Sequence, residues 1–445
     1  MIATFLKKGK EKIFILILII SAAPGTVTAQ NKEQTLHNLN NLLVNTVMDD
    51  LFTPPVSSRI YTYPNIAFYE CIRLDDPTLP SLSDKLNGLT NIPPLPGNSV
   101  INNFIAACIS FSYVGQNLVG SEYKIEAWRN AFVDSLFKHG DTSMAKSSIA
   151  WGKQVADSII SWTKKDNYLK SRGMSRFVLS KVQGTWQPTP EEYAQALEPN
   201  WRFIRPMTLS SSSQLSPKEK LSYSAAKNSV YWKTMMEVYN IGKGLDSSRK
   251  ATALYWDDNP NVAVVEGHLT YYVHKVSPGG HWLMIAQQAC IKKNIPVTRC
   301  SYIYTLTSIA LFDAFIACWD EKFKTNLVRP ITIINQFIDP RWKPFIQTPP
   351  FPEFTSGHAV ISNAAATILT NLLGANFEFT DETEIPFRNK PRHFRSFYEA
   401  ALEATMSRVY GGIHYPETAR ISVIQGKAVG NNVLQKLKAP VRPKQ

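Results

Sequence analysis

Seven residues between Trp319 and Arg420 have side chains or backbone suited to meeting one small anion: Lys322, Arg329, Ser356, Gly357, His358, Arg408 and His414. Two arginines and a lysine balance several negative charges, and each arginine adds a planar fork of donors. A serine hydroxyl beside backbone N–H groups at a helix start adds neutral donors. Of the two histidines, one can bind or attack a central atom while the other moves a proton. Together these residue types suit a tetrahedral oxyanion. Each piece alone is weak. A Lys and an Arg at such spacing usually sit on a solvated face, and a lone Ser-Gly-His ordinarily holds a buried, satisfied histidine.

The surrounding elements are helical by period. Leu36, Leu39, Leu42, Leu43 and Val47 recur at helical spacing over 32–51. Further helices are expected over 56–74, 99–119, 121–138 and 145–164, then 216–241, 262–275 and 280–293, with 246–256 leading into Trp256-Asp257-Asp258-Asn259-Pro260. The helix at 216 would open on Ser216-Pro217, a cap followed by a first-turn proline. Four elements carry the chemistry, over 298–323, 329–338, 355–374 and 393–413, and 417–437 closes the chain. Thr355 is a good N-cap for the helix that Ser356-Gly357-His358 opens. Gly357 would let the backbone approach an anion closely, and Ala359, Ala364, Ala365 and Ala366 would let this helix pack tightly. Gly411-Gly412 would break the helix between Arg408 and His414. Residues 165–215 form a long excursion, expected to be a lid, a binding loop or a surface strap. Trp319, one turn before Lys322, can cover the lysine stem.

The fold class expected is an all-α helical bundle of 445 residues, 44% hydrophobic, ample for a sizeable core. The division expected is 1–29 as a signal peptide, 30–240 as an N-terminal helical region and 241–437 as the catalytic bundle. Lys7, Lys8, Lys10 and Lys12 make a basic n-region, Ile13 to Ile20 an apolar run too short to span comfortably, and Val27-Thr28-Ala29 a cleavage site before Gln30. An exported chain, periplasmic or secreted, is therefore expected. No later stretch is an uninterrupted apolar run of membrane-spanning length, so the mature protein is not expected to be integral to a membrane. The net charge is +13. It suits attraction of anionic substrates, and without a basic run of nucleic-acid type no nucleic-acid partner is expected. The five cysteines include no C-x-x-C pair. An oxidising compartment permits disulfides, although burial as small hydrophobes suits most of them.

Lys322, six residues, Arg329 and Pro330, then Thr355-Ser356-Gly357-His358, then Ser407-Arg408, five residues and His414 closely resemble a known tripartite signature. It is that of the type 2 phosphatidic acid phosphatase and vanadium haloperoxidase superfamily, with all three parts in order. The resemblance implies a helical bundle, with room for a degenerate second bundle in the N-terminal half. It also implies one pocket in which Lys322, Arg329, Ser356, Gly357 and Arg408 hold the equatorial oxygens. Members of the haloperoxidase branch carry an upstream acidic residue that supports the cations. Asp257, in Trp256-Asp257-Asp258-Asn259-Pro260, is the candidate, with helix capping as the alternative. His281 is a similar candidate, and Phe351 matches an aromatic lining position. The family usually has Asp four residues after the last histidine. Thr418 stands there instead, leaving Glu417 from a shifted position, or a backbone carbonyl, to hold the ring of His414.

The resemblance leaves three readings of one site. In a haloperoxidase, His414 is the axial ligand of vanadate, His358 takes a proton from peroxide, Lys322 polarises the bound peroxide and halide is oxidised. In a phosphatase no cofactor is needed: His414 attacks phosphorus, giving a phosphohistidine, and His358 protonates the leaving alcohol of a phosphomonoester. In a binding protein the pocket captures phosphate or vanadate without turnover. The roughly three hundred residues before Lys322 and the wording PPFPEFTSGH look more like the bacterial haloperoxidase-related branch.

Overall fold

The computed structural model describes residues 31–439, apart from residues 98, 140, 261 and 267. The expected signal segment 1–29 lies outside the described residues. The chain runs α1 (Lys32–Asp49), α2 (Pro54–Ile72), α3 (Asn103–Gln116), α4 (Glu122–His139), α5 (Thr142–Thr163), α6 (Tyr168–Arg172), α7 (Val230–Lys243) and α8 (Ser247–Tyr255). It continues with β1 (Val262–Glu266), β2 (Leu269–Val273), α9 (Pro278–Lys292), α10 (Val297–Thr325), α11 (Pro330–Phe337) and α12 (Gly357–Leu373). Last come β3 (Phe379–Asp381), β4 (Arg392–Phe394), α13 (Phe397–Tyr410) and α14 (Pro416–Lys436). The expected all-α class holds, with two short antiparallel hairpins added.

Two groups of helices share α10. On one side α2, α3 and α5 pack together, and on the other α12, α13 and α14. α10 lies against both α2 and α12. Polar side chains from both helices serve the seam with α2: Thr305 Oγ1 donates to the Asn65 carbonyl at 3.0 Å and Thr62 Oγ1 to that of Ser308 at 2.9 Å. By length and composition α10 could cross a membrane, a property the sequence analysis did not assign to any segment. The apolar stretch responsible is wholly buried inside the protein. The seam between α12 and α14 depends on small residues. A Cβ on Gly426 would come within 2.3 Å of the Val360 carbonyl oxygen, so only glycine permits that approach. The close packing expected of the Ala-rich α12 is therefore observed.

One expected helix is absent and another starts later than expected. Val262–Glu266 and Leu269–Val273 pair as the β1–β2 hairpin, registered from Val262 opposite Val273 to Glu266 opposite Leu269. Their β-branched and aromatic residues suit a pleated ladder better than a helix. The helix expected from Ser216 begins instead at Val230, where the Ser229 side chain caps Trp232 N–H. Ser216 and Lys220 are engaged by Glu321 on α10, which takes the would-be cap out of play. The boundary expected at 240/241 falls inside α7. The excursion 165–215 is a strap held to α10. Backbone N–H groups of Met207, Thr208 and Leu209 all donate to the buried Asp313 carboxylate, which burial pushes up to about 6. All five cysteines are free and buried.

Candidate active site

The end of α10 supplies Trp319 and Lys322, the N-cap of α11 supplies Arg329, and the first residues of α12 supply Ser356, Gly357 and His358. The last turn of α13 brings Arg408, and the turn before α14 brings His414. The segment after α8 carries Trp256, Asp257 and Asp258. A cavity of about 40 Å³ is walled by Gly357, His358, Arg408 and His414 together with Asp258, Phe315, Trp319 and Phe351. One water needs roughly 10–15 Å³ on this measure, so the space suits one small anion and little else.

The cations are buried and tightly held. Arg329 donates from Nε to the Phe351 carbonyl at 2.9 Å and from Nη1 to that of Ile413 at 2.8 Å. Burial lowers it to about 10. Lys322 Nζ donates to the carbonyls of Pro352 at 3.0 Å and Glu353 at 3.1 Å. It also stands 4.8 Å from the Phe351 ring centroid and 5.7 Å from that of Trp319. Two of its three protons are thus engaged, and it sits behind Phe351 and Trp319, which are the residues on the cavity wall. Burial brings Lys322 down to about 7, because little nearby charge repays the desolvation of the ammonium. Trp319, expected to cover Lys322, stands beside it, and Phe351 lies on the cavity wall.

His414 is held by a residue the sequence reading passed over. Its Nδ1 lies 2.8 Å from Oε1 of the buried Glu353. That carboxylate also accepts from Tyr415 N–H at 3.0 Å and from the Thr418 hydroxyl at 2.8 Å. Glu417 does not serve: it pairs with Arg420 at the surface. Thr418 acts one step back, on Glu353. Arg329 Nη1 lies 3.2 Å from His414 Nε2 and can only donate, so Nε2 carries the lone pair and Nδ1 the proton. Burial, then Arg329, Lys322 and Arg408, hold His414 well below the ordinary histidine range. Glu353 was detectable as the lone acidic residue in an apolar, proline-rich run, PPFPEF, although nothing in that run indicates which ring it meets.

On the opposite wall the Trp256-Asp257-Asp258 segment does three things. The Trp256 carbonyl accepts from Arg408 Nη1 at 2.8 Å and takes a backbone hydrogen bond from the His358 ring. Asp257 lies 3.7 Å from Arg408 Nη2 and 2.8 Å from Lys275 Nζ, so it supports a cation and caps no helix. Asp258 lies between His281 and His358, at 3.0 Å and 4.0 Å. Burial, then Arg408 and His281, keep His358 well below the ordinary range.

Thr355 is not the cap of α12. Its hydroxyl donates to Gln425 Oε1 at 2.8 Å, and Ser356 takes the N-cap place without using its side chain there. The Ser356 hydroxyl is therefore left over. Arg329 Nη2, Ser356 Oγ, His358 Nε2 and Arg408 Nε, each from a different part of this site, are buried with no protein partner. Buried polar groups rarely remain so; the oxygens of an anion would accept from the three donors, and a hydroxyl on it would donate to the Nε2 lone pair of a neutral His358. A Cβ on Gly357 would meet only Trp319, at an ordinary 3.6 Å, so protein packing does not demand glycine there. The residues fit vanadate or phosphate: cations and neutral donors around the sides, and one neutral imidazole lone pair.

The model of the VCPO second helical-bundle domain matches residues 302–443. The crystal structure of the first bacterial vanadium-dependent iodoperoxidase shares 40% identity, covers 91% of this chain and 96% of its own, and superposes with a TM-score of 0.86. Holo and apo structures of a bacterial vanadium-dependent chloroperoxidase share the fold at TM-scores of 0.67 and 0.66. Their identities are 15% and 16%, over 87% of this chain and 93% and 94% of theirs. No curated protein matches. Identity of 40% over 91% of the chain means that it belongs to the vanadium-dependent haloperoxidase family, within the superfamily shared with the type 2 phosphatidic acid phosphatases.

Proposed function

We propose that this protein is a vanadium-dependent haloperoxidase that oxidises iodide with hydrogen peroxide and one proton, giving hypoiodous acid and water. The observation that carries this reading is the His414 ring. Its Nδ1 proton is committed to Glu353, and its Nε2 lone pair, which accepts from Arg329 Nη1, lies at a cavity where other donors lack protein partners. The likeness to the iodoperoxidase over nearly the whole chain supports the same reading. The mostly apolar wall, which includes Phe315, Trp319, Phe351 and Pro350, favours the halide that loses water most easily.

In this reading Arg329, Arg408, the Ser356 hydroxyl and the Gly357 N–H would hold the oxygens of vanadate, and His414 Nε2 would bind its vanadium. Bound vanadate supplies an electrophilic centre that activates peroxide toward halide. His358 stays neutral at rest and takes the peroxide proton on Nε2. Lys322 adds positive charge from behind Phe351. The basic n-region and apolar run before Gln30 support export of the mature chain. The test is one assay series on purified, vanadate-stripped protein. Iodide oxidation by peroxide is expected only after vanadate is added, with bromide and chloride slower. Turnover of a phosphate monoester without vanadate-dependent halide oxidation would make the protein a phosphatase instead. Vanadate binding without either turnover would make it a binding protein.

A further inference from the structure

Behind His358 lies a second imidazole that the proposed reaction leaves unused. His281 on α9 is fully buried between two carboxylates. Its Nδ1 is 3.0 Å from Asp258 Oδ1 and its Nε2 2.7 Å from Asp381 Oδ2. Trp256 stacks on it with centroids 4.6 Å apart. Carboxylates accept only, so a ring bonded to one at each nitrogen must carry both protons. The other oxygen of Asp258 is 4.0 Å from His358 Nε2, on the cavity wall. One carboxylate therefore bridges a fixed imidazolium and the histidine proposed to take up a proton.

We propose that Asp258, braced by His281 and Asp381, is the positioning residue that sets how readily His358 Nε2 takes up a proton. When the peroxide O–H bond breaks, its proton goes to Nε2, and Asp258 Oδ2 is the carboxylate placed to pair with the resulting imidazolium. His281 works the other way: its positive charge keeps the resting His358 neutral. The charged or titratable groups facing this pair are Arg408 from α13, with its partner Asp257, and Lys322 from α10. His414 faces it from the turn before α14. Glu384, pushed up to about 7 by burial and by Asp258, faces Asp258 and His281 from beyond β3. A cation is the competing occupant, since Asp258, His281 and Glu384 bring donor atoms within 4.8 Å of one another. Both His281 nitrogens already have carboxylate partners, however, so no lone pair is free for a metal.

This inference rests on His358 being the proton acceptor of the proposed reaction, but its first test does not. Histidine 15N NMR of the vanadate-stripped protein should show His281 doubly protonated from pH 5 to pH 8. His281→Gln should raise the pH at which His358 titrates, and Asp258→Asn should lower it, each by about one unit or more. A merely structural role would not give opposite signs. A neutral His281 in the unmodified protein at pH 7 would overturn the proposal without any variant having to fold. So would shifts of the same sign in two folded variants, or stoichiometric perturbation of the His281 signals by added Zn2+. In the vanadate-loaded enzyme the acid limb of kcat/KM for peroxide should move in the same two directions. If the NMR titrations move as expected and that limb does not, Asp258 still tunes His358, but His358 is not the proton acceptor.

Discussion

His414 and His281 are both buried imidazoles hydrogen-bonded to buried carboxylates, yet their environments push their protons in opposite directions. His414 has one carboxylate, Glu353, and faces Arg329, Lys322 and Arg408; burial and those cations drive its second proton off. At His281 burial also opposes the charge, but Asp258 and Asp381 outweigh it and hold the ring well above the ordinary range. The carboxylate hydrogen bond therefore does not by itself decide the charge of the ring. The count of opposite charges around it does. One ring becomes a lone-pair donor toward the cavity and the other a fixed cation behind it.

The largest test of that contrast is His414→Ala. Iodide oxidation should fall to background. Vanadate affinity, measured by calorimetry, should drop without vanishing, because the equatorial donors remain. Next is His358→Ala, which should bind vanadate normally yet turn over about a hundred- to ten-thousand-fold more slowly. Loss of binding in that variant would mean that the two histidines have exchanged roles.

Glu353→Gln asks whether the carboxylate locks the His414 tautomer. Removing such a partner typically costs about 10–100-fold in metal affinity or activity, and that range is expected here for vanadate, with the melting temperature measured alongside. A smaller effect follows from Lys322. A bound anion favours its charged form, so binding takes up a proton when the free enzyme has lost it. Affinity should be full below about pH 7 and fall by up to about tenfold per unit as the pH climbs past that value. Sulfate is the suitable probe, because its own charge is constant over this range, and a flat profile would show that the ammonium does not sense the anion. The smallest effect belongs to Glu417→Gln. Its carboxylate pairs with Arg420 at the surface, so vanadate affinity and turnover should change by less than about twofold.

Residue order alone pointed to most of the candidate site. Lys322, Arg329, Ser356, Gly357, His358, Arg408 and His414 stood out together because they resemble a three-part family signature; each part alone would have been read as a solvated face or a satisfied buried histidine. Helical period likewise marked α1 through α5 and α9 through α14. It failed at 262–273, where a hairpin needs a cross-strand partner that no helical window reveals, and at Ser216, whose capping group was claimed by Glu321 on a distant helix. Tertiary structure alone decided the partners that set charge. Glu353 meets His414 across 61 residues, Asp381 meets His281 across 100, and Lys322 is turned behind Phe351. Those contacts follow from how helices cross and which side chains are shut away from water together. Hydrogen bonding and desolvation depend on that proximity in space, and no spacing along the chain encodes it.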